Sequence, residues 1–161
     1  MKRCLLLTIL FILFLSCEDN TPRLTIPYAP VNFTVDLNSY DYSLRESLSF
    51  KIFTETERRF DSDRFGYAGL LVVADVTGST IYAYDLCCPY EDNRNIKVEP
   101  TGDGKAICYE CKSVFDIMRG HSGLGFGTPV SGPSEEPLQS YLVYSSRPGV
   151  YEVVNSAVKN K

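Results

Sequence analysis

The chain has 161 residues, of which 44% are apolar and 22% charged, and a formal net charge of −4 at neutral pH. That length supports one packed core and is short for two. The acidic balance, without any basic tract, argues against nucleic acid as a partner, and a lone histidine argues against hydrolysis by a serine, histidine and acid set.

Lys2 and Arg3 precede an apolar run from Leu5 to Leu15 that only Thr8 interrupts. This is the pattern of a secretory signal, too short for a spanning helix. Phe14-Leu15-Ser16-Cys17 resembles a bacterial lipobox, with Phe14 where a small aliphatic residue is usual. The resemblance implies a signal peptide over residues 1–16, cleavage before Cys17 and acylation of that cysteine, which makes the membrane a partner through a lipid anchor. A short uncleaved anchor or an ordinary cleaved signal are the alternatives. Glu18 and Asp19 resemble the acidic tag of some surface-exposed outer-membrane lipoproteins, although a solvated tether has the same composition. The expected location is the bacterial cell envelope, at the outer membrane. From Glu18 to Pro30 three prolines and no burying period predict an extended tether, so that residues 17–30 link the anchor to a domain over 31–161.

Val31 to Leu37 alternates apolar and polar residues, the period of a half-buried strand. SLSFKIF, YAGLLVVADV and STIYAYDL supply further β-branched and aromatic runs, separated by turn signals at Arg64 to Gly66 and Thr77-Gly78-Ser79. A short helix fits only within Ser43 to Arg58. YLVYSS and VYEVVNSAV form a terminal strand pair across Arg147-Pro148-Gly149. The expected fold class is all-β, an antiparallel sandwich or barrel.

Four cysteines lie between these regions, at 87, 88, 108 and 111. Cys108-Tyr-Glu-Cys111 is a C-x-x-C pair, whose short turn points both thiolates at one place. Cys87 and Cys88 are adjacent, and adjacent residues of extended chain face opposite ways unless the strand ends there, as Pro89 allows. An even number of thiols in an exported chain equally suits disulfides. A bond between Cys87 and Cys88 themselves is strained, whereas Cys88 pairs more easily with Cys108 or Cys111. Spacing alone leaves metal and disulfide open.

Cys108 through Cys111-Lys112-Ser113-Val114-Phe115-Asp116, followed by Gly132-Pro133, Pro137-Leu138 and Tyr141, resembles the second half of a Rieske [2Fe-2S] domain. Ile81 to Asp85 leading into Cys88-Pro89-Tyr90-Glu91 resembles its first half, and the likeness runs from about Val31 to Val154. It implies a Rieske-like β domain with a small cysteine-loop subdomain, and electron transfer to a redox protein partner. By the family's motif, Cys88 and Cys108 bind one iron, while the two histidines of the other iron are replaced by Tyr90 and Cys111, and Lys112 replaces a glycine. A standard cluster with two histidines therefore cannot form.

The expected cofactor is a [2Fe-2S] cluster on Cys88, Cys108 and Cys111, with Cys87 or Tyr90 as fourth ligand. Thiolates in place of histidines lower its potential toward roughly −400 mV. The alternatives are zinc on the same thiols or no cofactor, with disulfides holding the loops in a binding or structural module. His121, in a glycine-rich stretch, reads as a solvated side chain rather than a ligand. Tyr82, Tyr84, Phe115, Tyr141 and Tyr144 read as core and loop cover.

Overall fold

The computed structural model describes residues 24–118 and 126–155. Its eleven strands are β1 (Val31–Asp36), β2 (Phe50–Phe53), β3 (Arg64–Phe65), β4 (Leu70–Ala74), β5 (Ile81–Asp85), β6 (Val98–Pro100), β7 (Lys105–Cys108), β8 (Val114–Asp116), β9 (Thr128–Ser131), β10 (Ser140–Arg147) and β11 (Val150–Val154). Seven make one antiparallel sheet in the order β2-β4-β5-β10-β11-β1-β3, and β6-β7-β8-β9 make a second, smaller one. The all-β expectation holds, including the terminal pair, in which β10 and β11 run antiparallel through a bulge between Ser145 and Arg147.

In β1 the alternation does what its period requires, because Val31, Phe33 and Val35 are buried and Asn32 is exposed. Phe33 stands 4.6 Å from Phe53 of β2, ring centre to ring centre, although those strands are far apart in sheet order. The large sheet thus curls round its own core as an open barrel does. β4 reads LLVVA without a polar residue and is buried throughout. The reason is a division of faces: Leu70, Val72 and Ala74 fill the curled sheet, while Leu71 and Val73 join Tyr84, Leu86, Val98, Phe115, Ile117 and Met118 in a second core beneath the small sheet. A strand covered on both sides has no face to leave polar.

The region Ser43 to Arg58, where a short helix was expected, contains no α-helix. It holds two short 3₁₀ turns, Tyr42–Arg45 and Glu55–Glu57, on either side of β2. The phenylalanines and isoleucine of β2 pair with β4, and Thr54 with Glu57 closes a reciprocal cap on the second turn. Residues 24–30 bend at Thr25 and Ile26 and lie against the domain: Ile26 is buried in the second core, and the Thr25 N–H donates to Gln139 Oε1 at 3.2 Å. Residues 1–23, including Cys17, lie outside the described residues. Among the aromatic residues expected to be core and cover, Tyr84, Phe115 and Tyr141 are buried, Tyr82 is partly so, and Tyr144 on the outer part of β10 is exposed.

Candidate metal centre

Two connections of the small sheet carry the thiols. The first leaves β5 through Leu86 and turns at Cys88-Pro89 toward β6. Its path is fixed by backbone bonds: the Asp92 N–H donates to Cys88 O at 3.0 Å, Cys88 N–H to Ile96 O at 3.3 Å and Val98 N–H to Leu86 O at 2.8 Å. The second joins β7 to β8, where the Lys112 N–H donates to Cys108 O and the Cys108 N–H to Ser113 O, both at 2.9 Å. This tight turn brings Cys108 and Cys111 to one side. Lys112, where the resembled family has glycine, takes φ +64°, the left-handed conformation in which glycine is at ease.

Together the loops place the Sγ atoms of Cys88, Cys108 and Cys111 within 4.8 Å of one another, with Cys88 and Cys111 only 3.6 Å apart. Cys88 and Cys108 are fully buried, and Cys111 is partly exposed. Cys87 is outside this group. Its N–H donates to Asp85 Oδ1 at 2.8 Å, and its thiol is directed at the Cys88 carbonyl, 3.5 Å away. Tyr90 is 56% exposed. The adjacent thiols diverge, as extended backbone requires. His121 lies outside the described residues.

The four thiols differ electrostatically. Burial, and then the negative charges of Asp85 and Asp92, push Cys87 up to about 12, so it stays protonated. Burial likewise raises Cys88, against the N–H groups of Glu91 and Tyr90 that point at its sulfur. Burial opposes ionisation of Cys111 as well, but hydrogen bonds from Ser113 and from the neighbouring thiols outweigh it and hold Cys111 below its ordinary value. Ser113 Oγ lies 3.1 Å from Cys111 Sγ and accepts the Ser134 N–H at 3.0 Å, which leaves its own proton free for a thiolate. Ionisation is thus favoured at Cys111 and opposed at Cys87 and Cys88.

Sequence reasoning quoted Ser113 without assigning it a role, and it overlooked Asp85. That carboxylate is buried at the end of β5 and accepts from Tyr67 N (2.7 Å), Ala68 N (3.1 Å), Cys87 N (2.8 Å) and Tyr141 Oη (2.7 Å). It locks the approach to the first loop onto β10 and the turn after β3. An aspartate inside the apolar run IYAYDLCC was the available signal. Beside the thiols, a cleft lined by Pro89, Tyr90, Pro133, Ser134, Glu135 and Glu136 opens to solvent.

No family model matches the chain. No curated protein matches it either. Among solved structures it is similar to a chain of the "complex of reduced oxygenase and oxidized ferredoxin in carbazole 1,9a-dioxygenase", at 15% identity and a TM-score of 0.47, over 80% of this chain and 98% of that one.

Proposed function

We propose that the chain is a lipid-anchored bacterial envelope protein whose Rieske-like domain binds a metal centre through Cys88, Cys108 and Cys111. The observation that carries the proposal is the convergence of those three sulfurs, from two separate loops, to within 4.8 Å. Thiolates at that spacing suit a soft or borderline ion. Supporting features are the N–H groups aimed at Cys88, the Ser113 hydroxyl at Cys111, and the order of Cys88-Pro89, Cys108, Cys111 and Gly132-Pro133 along the chain. Anchoring rests on the Lys2 to Cys17 segment. The module is a displayed binding or structural unit, held in shape by its metal. The test is the metal content of the full chain extracted in detergent under argon, together with its thiol count. A bound metal whose loss follows Cys108→Ser supports the proposal.

A second reading is favoured by the 3.6 Å between Cys88 and Cys111: in an oxidising compartment that pair closes to a disulfide, which staples the loops without metal. A metal-free chain with those two cysteines resistant to alkylation until reduced selects it.

A further inference from the structure

The sulfurs of Cys88 and Cys111 lie 3.6 Å apart, at two positions that a Rieske-type cluster keeps apart. In that arrangement Cys88 serves one iron, and position 111 serves the other, across the sulfide-bridged pair of irons. Thiolates on different irons must stand farther apart than two that share a single ion. A zinc–sulfur bond of about 2.3 Å gives a tetrahedral edge of about 3.8 Å. The 3.6 Å between Cys88 and Cys111 matches that edge, and all three separations are at most 4.8 Å. The residues present do not fit a [2Fe-2S] cluster in a second respect, because no fourth protein ligand stands ready among the described residues. Tyr90 is turned largely to solvent, and Cys87 faces the Cys88 carbonyl.

We infer that, given a metal centre at this place, Cys88, Cys108 and Cys111 hold one tetrahedral ion, zinc by its preference for thiolates, with a fourth position that no described residue fills and that is open to an exchangeable ligand. The opening lies on the side of Cys111, which is only partly buried, whereas Cys88 and Cys108 are closed off by core. Three protein ligands with one exchangeable position distinguish open zinc sites from closed four-ligand structural ones. Small donors such as water, imidazole nitrogen or a thiol are the class of ligand that fits there. Zinc carries no electron, so this centre is not a redox carrier.

The test uses the full chain in detergent, prepared under argon. Metal, iron and acid-labile sulfide are measured on the untreated sample, and a stripped sample is titrated with cobalt(II), with imidazole added at saturation. The expected results are one zinc per chain, no sulfide, and one cobalt with thiolate charge-transfer absorption whose ligand-field bands move with imidazole. Cys87→Ser leaves cobalt binding unchanged, and Cys111→Ser weakens it by more than about 100-fold, beyond what changes behind the ligands cost. Iron and sulfide in equal amounts, or loss of cobalt binding in Cys87→Ser, overturn the single open ion while leaving the metal centre standing. Ligand-field bands indifferent to imidazole overturn the open position. A chain that takes up no zinc, cobalt or iron refutes the metal centre itself.

Discussion

Of the buried aspartates, Asp41 and Asp85 have pKa values shifted in opposite directions. Asp41, fully buried, binds Lys51 Nζ at 2.8 Å and Arg59 Nη2 at 2.6 Å, and it accepts the Asp36 N–H at 3.0 Å. Burial works against its charge, yet Arg59, Lys51 and that N–H outweigh it, so its folded pKa lies below the unfolded value. A lowered carboxylate stabilises the fold fully above the unfolded value of about 3.9 and loses that contribution as pH falls through the folded one. Urea unfolding below pH 4 is therefore expected to show a falling midpoint, with a smaller fall in Asp41→Asn, which starts about 3 kcal/mol less stable because its cations lose their partner. Asp85 has no cationic partner among the described residues, and burial drives it upward against its four donors. Asp85→Ala orphans three backbone N–H groups and the Tyr141 hydroxyl, for an expected loss of about 3 kcal/mol or more, whereas Tyr141→Phe costs about 1 kcal/mol. Equal losses in the two variants would show that Asp85 acts through Tyr141 alone.

The cysteine-bearing turns depend on a third segment for their shape. Gly132, at φ +89°, lies so close to the second turn that an added Cβ would come within 2.4 Å of Ser113 Cα. Gly132→Ala is expected to push that turn away, weakening cobalt(II) binding about tenfold while leaving the large sheet's circular dichroism intact. Unchanged affinity would mean that the 132–134 segment only covers the turn. Much of this arrangement was legible in the sequence. The strands of the large sheet followed from period and turn residues, except the two-residue edge strand β3, whose Arg64 and Phe65 fall in a stretch read as a turn and pair with β1, and the two loops followed from the resemblance that runs through Cys88-Pro89, Cys108 to Asp116 and Gly132-Pro133. What was not legible is three-dimensional. The motif already singles out Cys88, but whether the backbone turns the adjacent Cys87 inward is decided only at the strand end, which directs the Cys87 sulfur toward a carbonyl. The ion-paired Asp41 also escaped notice, since its partners are 10 and 18 positions away.

As a whole, the molecule stacks a four-stranded cysteine sheet on one face of a curled seven-stranded sheet, with β4 and β5 shared between two cores. Because the thiols border the second core, the proposed metal centre would couple binding to folding. Removing the ion is expected to lower the thermal midpoint by roughly 5 °C or more, for a site worth a few kcal/mol in a domain of this size. An unchanged midpoint would place the ion outside the structural framework. The anchoring proposal makes its own prediction, that Cys17→Ser moves the chain from the membrane fraction to the soluble one without changing its metal content. The most direct test of the central claim is the combined zinc, iron and sulfide content of the argon-prepared full chain, with its visible absorption. One zinc per chain in a colourless sample is the predicted result; a coloured sample with two irons and two sulfides per chain would contradict it.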